Sequence, residues 1–145
     1  MKSVNRYLKN KAMDHIDHAL GRPVDPRENA NSYRNYYAVG CNAEKAKFRS
    51  SPHWIEGRTL ERMTYFHVSE AGRAALAEHL KEIGDPHRLF QVHYDHPAYQ
   101  TWPVLVVAKS RAAARYSYFL EVTDTCPDLT FGEFCKHTSA RLART

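Results

Sequence analysis

Long apolar runs are missing from this 145-residue sequence, and none approaches the roughly 18 residues a membrane span needs. The N-terminus is too polar to hold the apolar centre of a signal peptide, so a cytoplasmic protein with no membrane partner is expected. Cysteine is scarce as well. Cys41, Cys126 and Cys135 are an odd number, none stands in a CxxC pair, and free thiols in a reducing compartment are the simple expectation. A glycine-rich phosphate loop, an HExxH pair and repeats are also absent. The sequence therefore implies no cofactor, and its expected class is not an enzyme.

What the chain does hold is apolar and aromatic weight: 43% hydrophobic and 12% aromatic residues are ample for one domain with two lobes. Its net charge of +5 is unevenly placed. Residues 1–62 carry 12 Lys/Arg against 7 Asp/Glu, whereas residues 63–145 carry 9 of each. The first part is the basic part, which suits a polyanionic partner or simply a solvated basic surface.

The stretch Met63 to Gly84 organises the rest. Met63 to Val68 has the aromatic and β-branched content of a strand, and Ser69 then offers a hydroxyl to the free N–H groups of a helix. From Glu70 to Ile83, Leu76, Leu80 and Ile83 recur at helical spacing beside Ala71, Ala74 and Ala75, and Gly84 stands where a left-handed cap ends such a helix.

Upstream, Ser3 is placed to cap an amphipathic helix over residues 3–20, with Val4, Tyr7, Leu8, Ala12, Ile16, Ala19 and Leu20 on one stripe and Gly21 and Pro23 ending it. Lys2, Arg6, Lys9 and Lys11 crowd its first half as a solvated or phosphate-facing end. Residues 22–32 read as a linker. The aromatic segment from Tyr33 to Val39 has the spacing of a short helix or an irregular core-facing stretch. Asn42 is expected to cap a short basic helix to Arg49, with Lys45, Lys47 and Arg49 outward and Ala46 and Phe48 inward. Residues 53–58 and 63–68 then form a hairpin turning at 59–62, with Arg58 and Arg62 near its tip.

Gly84-Asp85-Pro86 is the expected boundary between lobes 1–84 and 85–145. Beyond it, residues 88–94 alternate as a strand and Trp102 to Ala108 is an apolar strand, giving a second hairpin. Ser110 caps a helix to about Thr125, with Ala112, Ala113, Tyr116, Phe119 and Leu120 inward and Arg111, Arg115 and Glu121 outward. Thr130 and Glu133 form a capping box for a last helix whose inward stripe is Phe131, Phe134, Cys135, Thr138 and Leu142, with Lys136, Arg141 and Arg144 outside.

Four readings of the chemistry are open. A short helix followed by a basic hairpin and a helix is the order in which winged helices meet DNA. Lys45, Lys47 and Arg49 would touch phosphates, Asn42 a base edge, and Arg58 and Arg62 would sit on the wing. A helix of about two turns is short for that task. His15 and His18 beside Asp14 and Asp17, or His93 and His96 beside Asp95, invite a metal, but nothing completes either set, so no metal site is expected. Cys41 near a helix start is the one thiol placed for activation, yet no base is positioned by the sequence and a structural role is the simpler reading. Tyr33, Tyr36, Tyr37, Trp54, Tyr94, Tyr99 and Trp102 serve equally as core, as stacking platforms for single strands or as protein-binding anchors.

The segment "YFHVSEAGRAALAEHL" resembles the last strand and following helix of winged-helix regulators, in which a "Y-x-V-T-x-x-G-r-x-x-L" pattern is frequent. The set "MDHIDHALGRP", "YRNYYAVG", "YFHVSEAGRAAL" and "SRAAARYSYFLEVTDTCPDLTFGEF" also resembles small phage and prophage proteins of alphaproteobacteria. What the likeness implies is a phage accessory product, either a regulator on DNA or a binder that disables a host protein. The expectation is therefore an α+β protein, with a winged-helix-like N-terminal lobe followed by a β-hairpin and two C-terminal helices. Its expected partner is double-stranded DNA, with Asn42, Lys45, Lys47, Arg49, Arg58 and Arg62 as the binding set. The alternative is an anti-CRISPR-like or replication inhibitor acting through a protein interface. A homodimer is compatible with either, the C-terminal helices being free to serve it.

Overall fold

The computed structural model describes residues 4–28, 32, 34–98 and 100–143. Lys2, Ser3, Tyr33, Tyr99 and Arg144 lie outside them. The described chain is mixed α and β and divides into two units, one running to Asp85 and the other from Pro86.

The first unit has the order α1 (Lys11–Leu20), β1 (Tyr37–Val39), α2 (Asn42–Ser50), β2 (Trp54–Leu60), β3 (Met63–Val68) and α3 (Glu70–Glu82). Its strands form an antiparallel sheet in the order β1-β3-β2. Along β3, Thr64, Phe66 and Val68 are buried, while Met63 and His67 are exposed and Tyr65 is half-buried, the alternation a sheet covered on one face requires. Val68 joins Leu8, Ile16, Ala19, Leu20, Leu76 and Leu80 in one apolar cluster, and Phe66 joins Val39 and Phe48 in another.

Ser69 makes the corner between β3 and α3 rigid. Its Oγ accepts from the N–H of Gly72 at 3.1 Å and donates to the carbonyl of Pro52 at 2.6 Å, and its own N–H donates to the carbonyl of His53 at 2.9 Å. The helix passes so close to β2 that a Cβ at Gly72 would lie 2.5 Å from the His53 carbonyl oxygen, so glycine is required there. Gly84, at φ 69°, follows as the left-handed residue after the helix.

The start of the chain departs from the expected helix over 3–20. The helix begins only at Lys11, where Asn10 Oδ1 accepts from the N–H of Met13 at 3.2 Å. Val4 and Leu8 are buried, yet from non-helical backbone: the Val4 N–H donates to the Arg22 carbonyl at 2.7 Å and the Leu8 N–H to Asp14 Oδ1 at 3.2 Å. Tyr7, expected on the same stripe, is exposed. Long-range partners for these N–H groups outcompete a local helix. Arg6 is likewise no solvated end. Its guanidinium bonds both oxygens of buried Asp17, at 3.0 and 2.6 Å, together with Asp85 at 3.1 Å and the Pro23 carbonyl at 2.8 Å.

The aromatic segment before Gly40 is also corrected, because Tyr37–Val39 is a strand, not a helix. Its ladder on β3 is extended by a side chain, Asn35, whose amide accepts from the Val68 N–H at 2.7 Å and donates to the Val68 carbonyl at 3.2 Å.

The second unit has β4 (Arg88–Tyr94), β5 (Val104–Ala108), α4 (Arg111–Val122), α5 (Phe131–Lys136) and β6 (Thr138–Leu142), with the antiparallel order β5-β4-β6. Ser110 Oγ caps α4 through the N–H of Ala113 at 3.1 Å, and Thr130 Oγ1 caps α5 through the N–H of Glu133 at 3.2 Å. Two expectations fail here. The last helix stops at Lys136, and the following residues pair with β4 instead, Thr138 opposite Tyr94 through Leu142 opposite Phe90. An open edge on β4 leaves a row of unpaired N–H and C=O groups, and pairing them outweighs the helical preference of Ala140 to Leu142. In α4 the buried residue is Ala114, packed with Phe90, Val92 and Ala108, whereas Ala112, Ala113, Tyr116 and Leu120 are exposed. The helix is turned from the expected face because Ala114 and Tyr118, four residues apart, take the sheet side.

Candidate nucleic-acid interface

The site is built on α2, which follows β1 directly after Gly40 and Cys41 and is held down by one ring. Phe48 lies 4.7 Å from Trp54, 5.1 Å from Phe66 and 5.6 Å from Tyr37 between ring centroids. Only Lys45 and Phe48 of this helix are buried, so the rest of its surface faces solvent. Asn42 is its first helical residue and is exposed. The N-cap is Cys41, with no side-chain capping bond, so the expected capping role of Asn42 is corrected. Ala46, expected inward, is exposed as well.

The six predicted residues divide by what they are already doing. Lys45 is buried, and its Nζ donates to the carbonyl of Arg62 at 2.8 Å, tying the helix to the turn of the β2–β3 hairpin. Its expected outward position is thereby corrected. The cause is reach: at i−3 from Phe48 it shares the inward side, and a long stem is needed to span to the hairpin. Arg49 points outward but is engaged, with Nε 2.7 Å and the second guanidinium nitrogen 3.1 Å from the two oxygens of Glu56. The hydrogen bond and charge of Glu56 raise the pKa of Arg49, and those of Arg49 hold the Glu56 carboxyl below the usual carboxylate range. Lys47, Arg58, Arg62 and Asn42 are exposed. Glu61, at φ 57°, makes the tight turn that presents Arg62.

Lys47 also lines a cleft of about 370 Å³ between α1 and α2, whose walls include Lys11, His15, Glu44, His53 and Trp54. Lys11 and His53 were not in the predicted set. Lys11 was legible as one of the cations of the expected first helix, but not its neighbours in the cleft, which joins positions 11, 47 and 53 only through the folded chain.

The histidine pairs have other employment. The His15 ring lies 4.9 Å from Tyr37 and 6.1 Å from Phe48, and His18 meets Tyr37 edge-on at 5.8 Å. Asp14 and Asp17 are taken by Arg22, at 2.7 and 2.9 Å. Burial opposes ionisation of Asp14, but the Arg22 hydrogen bond, the Leu8 N–H and the charges of Arg22 and His15 prevail and lower its pKa. His93 Nε2 lies 3.1 Å from Thr101 Oγ1, and His96 Nδ1 accepts from the Ala98 N–H at 3.0 Å, so both hold the β4–β5 connection. Among the described residues no group of three or more His, Cys, Asp or Glu could hold a metal ion. The cysteines are free, Cys41 exposed and the other two half-buried. No described helix is long and apolar enough to cross a membrane.

Compared with known protein families, with curated proteins and with solved structures, the chain matches none.

Proposed function

We propose that this chain is a non-enzymatic accessory protein that binds double-stranded DNA through its first unit, acting as a phage-type regulator. The observation that carries the proposal is the exposure of α2: a helix anchored by Phe48 and Lys45 alone leaves Asn42, Ala43, Ala46 and Lys47 outward, as a groove-seeking helix must. The sheet order β1-β3-β2, with α2 between β1 and β2 and a hairpin carrying Arg58 and Arg62, supports a winged-helix-like reading. In that reading Lys47, Arg58 and Arg62 meet phosphates, and Asn42 at the helix start faces base edges. Lys45 and Arg49 support the surface from behind and beside it. The small side chains of Ala43 and Ala46 allow close approach of the helix, which partly offsets its shortness.

Binding to a labelled random duplex at low salt and again at about 200 mM salt tests this reading, since affinity that rests on phosphates falls steeply over that range. Lys47→Ala, Arg58→Ala and Arg62→Ala in one chain should lower affinity at least about tenfold and flatten the salt slope by about 0.9 for each phosphate left unneutralised. A duplex that fails to bind at low salt sinks the proposal.

A second reading has its own observation. On α4 the exposed Ala112, Ala113, Tyr116 and Leu120 form an apolar stripe, and Phe131 stands edge-on to Tyr116 at 5.5 Å. Such a stripe suits a protein partner, either a host protein that the chain disables or a second copy. If it is right, Tyr116→Ala abolishes capture of that partner and leaves duplex binding unchanged; capture that survives the substitution rejects the stripe.

A further inference from the structure

The face of the β1-β3-β2 sheet opposite Phe66 and Val39 takes no part in the duplex surface apart from Arg58. It is open. Tyr36 is 43% exposed, Leu60 50% and Ile55 56%, and a hollow of about 400 Å³ is lined by Tyr36, Ala38, Arg58, Leu60, Tyr65 and His67. We infer that this face is a stacking platform for single-stranded nucleic acid.

The aromatic part comes first. The rings of Tyr36 and Tyr65 lie 6.0 Å apart and tilted by 55°, side by side, so that a flat base has two π surfaces within reach. Tyr65 stands on β3, and Tyr36, one residue before β1, is held by its N–H donating to the Ala19 carbonyl at 3.2 Å, which lowers the entropy cost of stacking. His67 extends the platform. A Cβ on Gly57 would fall 2.7 Å from His67 Nε2 and 2.6 Å from the Tyr65 carbonyl oxygen, so only glycine lets the His67 ring lie across β2. The ring is held there by a 2.7 Å hydrogen bond between Nδ1 and the Asn35 carbonyl.

Charge then selects the occupant. None of the residues lining the hollow is a carboxylate, and the acidic residue of β2, Glu56, is engaged by Arg49. Arg58 is exposed at one side. Beside Tyr36, the Arg34 guanidinium stands 4.2 Å from the centre of the ring, with one nitrogen donating to the Tyr36 carbonyl at 3.1 Å and Nε without a hydrogen-bond partner. One stacked guanidinium and one exposed guanidinium beside these rings match a partner that alternates flat rings with anions. An acidic peptide meets the charges but leaves the rings unused. A duplex keeps its bases stacked on each other and cannot offer their faces.

Strand binding on this face goes beyond duplex binding and does not depend on it. A labelled oligothymidylate of about twelve nucleotides should bind the full chain at low salt, and Tyr36→Ala and Tyr65→Ala should each weaken it by about tenfold. Tyr36→Phe should retain binding, because the ring and not the hydroxyl is used. Lys47→Ala, which acts at the duplex surface, should leave it unchanged, and Tyr36→Ala should in turn leave duplex affinity unchanged. Photo-crosslinking of the unaltered chain to a 4-thiothymidine strand should mark Tyr36 or Tyr65, which decides the matter even if the alanine variants fail to fold. The inference is overturned by a strand that does not bind, by crosslinks that map outside this face, or by polyglutamate displacing the strand as well as unlabelled oligothymidylate does.

Discussion

The two units solve the same problem with different interiors. The second buries rings and aliphatic side chains: Phe134 is fully buried and lies within 5.0 to 6.4 Å of Tyr94, Phe119, Tyr118 and Phe131. The first buries charge as well. Among the described residues, the buried charged side chains Asp17, Lys45 and Arg73 all lie in it, and each has partners. Arg6 and Arg22 converge on Asp17, Lys45 reaches the Arg62 carbonyl, and Arg73 donates to the Pro26 carbonyl at 2.8 Å. The difference bears on function. Residues 1–62 carry the cationic excess, yet within them Arg6, Arg22 and Lys45 spend their charge on the fold, as Arg73 does further on, and Arg49 is paired at the surface. The cations open to a partner are therefore fewer than the composition suggests, and among the described residues Lys47 on α2 and Arg58 and Arg62 on the hairpin remain exposed.

The largest effects come from removing the centre of each interior. Asp17→Ala leaves two arginines around a missing carboxylate and should cost about 3 to 5 kcal/mol, as breaking a buried pair does. Phe134→Ala should cost about 3 to 5 kcal/mol through cavity formation. Native-state hydrogen exchange separates the two: the first substitution should weaken protection of β3 amides and the second that of β4 amides. If either substitution weakens both strands equally, the units do not unfold separately and the contrast between their interiors has no energetic meaning.

The parts legible in the sequence are those set by neighbours along the chain. Ser69 with Gly72, Ser110 with Ala113 and Thr130 with Glu133 are caps three residues apart, and the alternation of Met63 to Val68 follows from one covered face. The parts that were not legible depend on distant partners. Thr138 to Leu142 is a strand only because β4 has an edge to fill, and Leu8 leaves the helix because Asp14 takes its N–H. The candidate site shows the same division. The cationic residues are visible as residue types, but the Arg62 carbonyl that buries Lys45 and the Glu56 carboxylate that holds Arg49 lie 17 and 7 positions away. The outer sheet face was legible only as scattered tyrosines. Register placed Tyr65 outward while Phe66 went in, and pairing of β1 with β3 brought Tyr36 beside it.

A smaller effect follows from acid. His18 has its pKa lowered from 6.5 by burial first and then by the charges of Arg34 and Arg22. A base with a depressed folded pKa binds fewer protons folded than unfolded. Its contribution is therefore present in full above pH 6.5 and declines as pH falls below that value. Asp14, lowered from 3.8, contributes above that value and loses its share below it. Much of the His18 side chain is exposed, so its step should be small. Urea midpoints measured from pH 7.5 downward should fall in two stages. His18→Gln should remove the upper stage and Asp14→Asn the lower, and an unchanged profile in either variant would reject its assignment.

The smallest effect on stability tests whether internal pairing is what withholds cations from the surface. Arg49 and Glu56 are both exposed, so Glu56→Gln should leave the urea midpoint unchanged within error. What it should change is electrostatics. Arg49 lies on α2 two residues after Lys47, and losing its carboxylate partner both frees a guanidinium and removes a negative charge beside the duplex surface. Affinity for a labelled duplex at low salt should rise, and the slope of log affinity against log salt should steepen by about 0.9, the value for one more phosphate neutralised. A slope that stays the same would place Arg49 off the duplex path and confine the DNA surface to Lys47, Arg58 and Arg62. A slope that steepens without Arg49, in Arg49→Ala/Glu56→Gln, would assign the gain to the removal of the carboxylate alone.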